Sequence, residues 1–241
     1  MAIERRPPAG AGSRSRQVPM ALKREAELRF ETFDVGANGE VVASLKGLAQ
    51  RGSAPGLWLW GETGSGRSHL LQASCELADS AGRSALYLPL TLLPAAPVAL
   101  EVPRTHLVAL DDVECWLGSR ELEVALMALY ERQLAAGGQF LVAASGGARR
   151  LDFALADLAS RCRALPSFAL LPPDDEGLRR ILRSSAGRQG LELDEAVLDF
   201  WLHRADRSLP LLLGELERLD EAALADQRRI TIPLIKDVLG L

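Results

Sequence analysis

The spacing of apolar residues changes about two thirds of the way along the chain. In the first part, short unbroken apolar runs at GLWLW (56–60), SALYLPL (84–90), HLVALDD (106–112) and QFLVAAS (139–145) alternate with longer stretches of three- and four-residue periodicity. The runs predict strands buried on both faces. The stretches predict helices: one from about Glu40 to Gln50, one through SGRSHLLQASCELADSAG and closed by Gly82, and one through SRELEVALMALYERQLAAGG. Strand alternating with helix predicts a parallel sheet with helices on both faces. From about Asp174 only the helical period remains, in DDEGLRRILRSSAGRQG, LDEAVLDFWLHRAD, LPLLLGELERLDEAALADQ and TIPLIKDVLG, with Asp, Pro or Thr near the starts and Gly near several ends. The predicted architecture is α/β: a parallel sheet sandwiched by helices over 29–172, then a small all-α lid subdomain over 173–241.

Residues 1–28 precede this pattern. The opening MAIERRPPAGAGSRSR is rich in Arg, Pro, Gly, Ala and Ser, which predicts a disordered tail. No apolar run approaches the ~18 residues of a membrane span, and the opening lacks the apolar core of a signal peptide, so a cytoplasmic protein without membrane contact is expected. With 48% hydrophobic and 25% charged residues the composition is that of a soluble globular protein. A net charge of −4 gives no global electrostatic case for nucleic-acid binding. Cys75, Cys115 and Cys162 are far apart, with no CxxC or Cys/His metal spacing, as in a reducing compartment.

The stretch WLWGETGSGRSHLLQA carries the chemistry. Gly61, Thr63, Gly64, Ser65, Gly66, Arg67 and Ser68 lie in a GxxxxG[K/R]S spacing directly after a strand and directly before a helix. Glycines let the backbone turn its N–H groups towards phosphate, and the helix N-terminus adds positive potential. Ser68 is placed to ligate magnesium through its hydroxyl. Arginine stands where such loops usually carry lysine, a planar fork in place of a compact point charge, which favours holding a diphosphate over hydrolysis. The strand HLVALDDVE ends in two carboxylates: Asp111 to orient magnesium and Asp112 as candidate base for water. QFLVAAS ends at Ser145, the place of a polar residue facing a third phosphate, and DLASRCR puts Arg161 and Arg163 at the end of a short helix.

TFDVGANGEVVA, GETGSGRSHLLQA, LVALDDVE, FLVAASGGARRL, DLASRCR and the ending RRITIPLIKDVLGL together resemble the successive motifs of the DnaA/Hda family of AAA+ P-loop proteins, over nearly the whole ordered length. The resemblance is to the family's regulatory branch, which also has arginine after the last glycine of the loop. It implies bound ADP (ATP possible) with Mg2+, and adds Val35 at the base entrance, His69 and Arg207 to the nucleotide-lining residues. It implies that Arg161 is an arginine finger presented in trans to the third phosphate of ATP held by DnaA. It also implies that Gln17, Met20 and Leu22, within 17–22, bind the DNA polymerase III sliding clamp.

The implied function is negative regulation of replication initiation: with the DNA-loaded clamp, the ADP-bound protein stimulates hydrolysis of ATP on DnaA. It would have no or very weak ATPase of its own. DnaA continues into a helix-turn-helix domain for which no residues remain, so no sequence-specific DNA binding is expected, while homo-oligomers are compatible with the family. The chain departs from the family at Pro210, where an arginine of the lid helix is expected; Arg207, one turn earlier, is the candidate substitute. The alternative is an autonomous ATPase, a helicase loader or remodelling factor, favoured by Asp112 and opposed by Arg67 and Pro210.

Overall fold

The computed structural model describes residues 28–52, 54–226 and 229–241. The tail, with Gln17, Met20 and Leu22, lies outside the described residues. A 3-10 turn at Phe30–Thr32 leads to helix α1 (Gly39–Arg51), which ends where Gly52 takes a left-handed conformation, φ +62°. Then follow β1 (Gly56–Trp60), α2 (Arg67–Ser80), β2 (Ala85–Pro89), β3 (Leu107–Asp111), α3 (Arg120–Ala135), β4 (Gln139–Ala144), α4 (Ala156–Ala164) and β5 (Ser167–Ala169). All strand pairings are parallel, in the order β2-β3-β4-β1-β5.

The three central strands are apolar at nearly every position because both faces are covered, yet the two-residue period of a strand still sorts them. Leu57 and Leu59 of β1, Leu107 and Ala109 of β3, and Leu141 and Ala143 of β4 pack with α1 and α2 on one face. Trp58, Val108, Leu110, Phe140, Val142 and Ala144 pack with Leu122, Leu126 and Leu129 of α3 and Leu158 of α4 on the other. The sheet is thus the middle layer of a three-layer sandwich, and the edge strands β2 and β5 are less buried.

Four helices follow: α5 (Asp175–Arg188), α6 (Glu195–Leu202), α7 (Leu209–Asp226) and α8 (Ile232–Leu239). Asp174 caps α5, its Oδ1 accepting from Gly177 N at 2.7 Å, and Pro lies in the first turn of α8 after Thr231. Their apolar stripes enclose a core of their own around Leu182, Leu198, Trp201, Leu212, Leu219 and Ile235, each no more than 1% exposed. Burying such a side chain contributes about 1.5–3 kcal/mol. The indole N–H of Trp201 donates to Glu215 Oε2 at 2.6 Å, so the ring enters this core with its polar atom satisfied.

The sequence pattern anticipates these elements, with two exceptions. Strand β5 is three residues long and carries no apolar run; it is held by register with Trp58–Trp60 rather than by its own pattern. The 3-10 turns at Leu90–Leu92, Pro97–Leu100 and Val113–Trp116 have no periodic signature either. Among the described residues no helix is long and apolar enough to cross a membrane.

Candidate functional site

Strands β3, β4 and β1 are neighbours, so their carboxyl ends place the loop after β1, the acids after β3 and the end of β4 side by side. The loop needs its glycines for stated reasons. Gly64 has φ +84° and a Cβ there would lie 2.7 Å from Pro210 Cδ; Gly66 has φ +97° and a Cβ there would lie 2.7 Å from the Phe33 ring. The loop is therefore squeezed between the N-terminal segment and the first turn of α7, with its backbone bare towards the site. Pro210 is the lid residue that meets the Gly61–Ser68 loop.

Arg67 opens α2 and is folded over the tips of β3 and β4. Its Nη2 donates to Asp112 Oδ1 at 3.2 Å, and Nη1 lies 3.8 Å from Glu114 Oε1 with no hydrogen bond of its own. Glu114 Oε1 accepts from the backbone N–H of Ser145 at 2.8 Å, while its Oε2 is buried without a partner. A third buried polar atom, Ser65 Oγ, is also unpaired inside the loop. Of these three atoms, Arg67 Nη1 and Ser65 Oγ are donors without acceptors beside one glycine-rich turn, as at a site for an anionic ligand, while Glu114 Oε2 is an acceptor that such a ligand would not satisfy.

Asp111 is 2% exposed; its Oδ2 accepts from the Tyr87 hydroxyl at 2.7 Å and its Oδ1 from the N–H of Asp112 at 3.1 Å. Burial and this bond push the Tyr87 hydroxyl well above the ordinary phenol range, so it stays a donor. Asp112 is the one non-glycine residue with positive φ among the described residues, φ 51°, a conformation an aspartate side chain tolerates. Burial foremost, then the charge of Asp111, pushes its carboxyl up, against the opposing pull of Arg67.

Ser68 and Thr63 are exposed beside the loop, and Ser145 is exposed at the end of β4. His69 is turned the other way. Its Nε2 lies 2.8 Å from the carbonyl oxygen of Arg29 and its ring meets Phe33 edge-on at 5.3 Å, so it fastens the N-terminal segment onto α2. Val35 is exposed on that segment. Nearby, Asn38 is buried and clasps Leu171 in both directions, Nδ2 to O at 3.0 Å and N to Oδ1 at 2.9 Å. Asp34 takes a two-point bond from Arg180 of α5, at 2.7 and 3.0 Å, which ties the same segment to the lid.

Arg207 is exposed, with its Nη1 on both carboxylate oxygens of Asp175 at 2.6 and 2.7 Å, in the first turn of α5. Arg161 stands exposed in the last turn of α4 and makes no hydrogen bond or ion pair with a described residue. Helix α4 is set by a buried carboxylate: Glu123 of α3 accepts the N–H groups of Gly118, Ala154 and Leu155 at 2.7–2.8 Å. Among the described residues, no group of three or more His, Cys, Asp and Glu side chains could hold a metal ion alone. The structure thus brings Arg67, Asp111, Asp112 and Ser145 together, and leaves Arg161 on the surface. Glu114, Tyr87, Asn38, Asp34 and Glu123 were not singled out in the sequence. Only Glu114 had a signal there, as the third acid in DDVE.

Residues 174–239 match the family described as "Hda, lid domain". The described fold is similar to domain III of the replication initiation protein DnaA of Thermotoga maritima, with TM-score 0.78 and 21% identity over 89% of this chain and 96% of that one. It is also similar to AMPPCP-bound DnaA from Aquifex aeolicus, TM-score 0.62, 20% identical, covering 80% of this chain and 64% of that one. A further similar structure is the Thermotoga maritima RuvB Holliday junction branch migration motor, TM-score 0.62, 14% identical, covering 84% and 68%. Residues 174–239 thus match the Hda lid family, and the described fold as a whole is similar to that of DnaA domain III.

Proposed function

We propose that this protein is a DnaA-related regulator of replication that holds ADP as a structural part and causes hydrolysis in a partner's site. The loop from Gly61 to Ser68 would cradle the two phosphates, with Val35 and the Phe33–His69 side of the loop at the base. Ser68 and Asp111 would face a magnesium ion that also needs phosphate oxygens, because the protein offers it too few ligands. Bound there, magnesium would screen phosphate charge. DnaA from Aquifex aeolicus takes the adenine-nucleotide analogue AMPPCP, which supports the same nucleotide class here.

The single observation that carries the reading is the pairing of charges. Arg67, the cation of the proposed phosphate loop, is engaged by Asp112, the acid that an ATPase would need free for its water, while Arg161 stands exposed in the last turn of α4 with no ion pair to a described residue. An arginine so placed can reach a triphosphate on another molecule. Such fingers are worth roughly 10³–10⁵ in rate. DnaA is the proposed partner, and the DNA-loaded sliding clamp the proposed co-activator through residues 17–22.

The experiment is DnaA-bound ATP hydrolysis with and without this protein, clamp and DNA. Arg161→Ala should retain ADP and lose stimulation by at least about 100-fold; stimulation at the wild-type level overturns the role of Arg161. A second reading, an autonomous ATPase, is favoured by one observation, the raised Asp112 carboxyl, which suits a proton acceptor. Steady hydrolysis by the purified protein alone would select it.

A further inference from the structure

The geometry points to Glu114 as the residue that makes the site select a nucleoside diphosphate over a triphosphate; this rests on the reading of the Gly61–Ser68 loop as a nucleotide site. A nucleotide cradled by that loop would have its first two phosphates at the N-terminus of α2, so a third would extend towards the cluster that Arg67 forms with Asp112 and Glu114 beside the end of β4. There Glu114 is fastened, its Oε1 on the N–H of Ser145 at 2.8 Å.

Two carboxylates, Asp112 and Glu114, face one arginine across this corner, and Arg67 gives its hydrogen bond to Asp112 and only a longer ion pair, 3.8 Å, to Glu114. Of these two acids, Glu114 is the one that Arg67 compensates less. Its Oε2 is buried with no donor, and a negatively charged phosphate oxygen brought beside it would share a poorly hydrated space with a like charge. Magnesium at Asp111 would offset the acids on the β3 side but does not reduce the count of carboxylates at the β4 side. The backbone N–H of Ser145, the donor that could greet a third phosphate, is already spent on Glu114. Repulsion and the occupied donor act in the same direction, against a third phosphate and with little effect on the second.

Glu114→Gln keeps the size and one acceptor oxygen for Ser145 while removing the charge. Binding of ADP and of ATP, both with magnesium, is measured by calorimetry on the full chain of wild type and variant. The ratio of the ATP to the ADP dissociation constant should fall on the order of tenfold in the variant, chiefly through tighter ATP binding. An unchanged ratio with ADP binding intact overturns the assignment to Glu114 and leaves the nucleotide reading standing. Failure of the wild type to bind either nucleotide overturns both. If Glu114→Gln unfolds, Glu114→Ala is measured for the same ratio. An unchanged ratio there has the same meaning.

Discussion

Glu123 offers the sharpest test of how the body holds the helix that bears Arg161. Its carboxylate is fully buried and accepts three backbone N–H groups, those of Gly118 and Ala154 on Oε1 and of Leu155 on Oε2, at 2.7–2.8 Å. Hydrogen bonds to a charged group are worth about 1.5–3 kcal/mol each, and removing the acceptor leaves three buried donors without partners. The losses overlap because the donors share one carboxylate, so a simple sum overshoots. Glu123→Ala should therefore cost about 3–5 kcal/mol. For a chain of this size that lowers Tm by roughly 6–20 °C. Glu123→Gln keeps an oxygen for two of the donors but turns an amide N–H₂ towards the third, and should cost about 1–3 kcal/mol. Urea unfolding followed by tryptophan fluorescence reads both, since Trp58 and Trp116 lie in the same core as α3 and α4. If both variants stay within about 1 kcal/mol of wild type, the carboxylate is not what sets α4.

Three further outcomes follow from the loop and its supports. Gly64→Ala sets a side chain at φ +84° against Pro210 and should cost about 1–3 kcal/mol while weakening nucleotide binding, both read by thermal unfolding with and without ADP. Asn38→Ala leaves both Leu171 backbone groups unpaired and should cost about 2–3 kcal/mol in urea unfolding. Burial, foremost, lowers the His69 pKa from the ordinary 6.5, so the unfolded chain takes up a proton that the folded protein refuses. Stability should thus fall as pH drops through and below about 6.5, with no contribution above it, and His69→Gln should flatten that slope in unfolding measured from pH 5 to 8.

The sandwich was legible because its strands are apolar on both faces and its helices on one stripe. Those are local patterns, and β1, β3, β4 and α5–α8 carry them openly. The glycine-rich turn between β1 and α2 was legible because its spacing is contiguous. What stayed hidden depends on residues far apart in sequence. Asn38 meets Leu171 across 133 positions and Asp34 meets Arg180 across 146. Glu123 is one acid among several on a helix that reads as amphipathic, and only the fold turns it inward to three backbone donors. The pairing of Arg67 with Asp112 across 45 positions changed the reading of both: two separate motifs, each suited to hydrolysis or binding, neutralise one another in space. The sequence placed Pro210 where a charged lid residue was expected; its ring against Gly64 gives that position a packing role.

The claim at the centre of this account is that nucleotide is held here and spent elsewhere. The most direct measurement loads DnaA with γ-labelled ATP and this protein with unlabelled ADP, and follows phosphate release in a single turnover with clamp-loaded DNA present. The account predicts fast release that disappears with Arg161→Ala, and negligible release when the labelled ATP is offered to this protein without DnaA. Release from this protein alone at a rate equal to that of the mixture would contradict it.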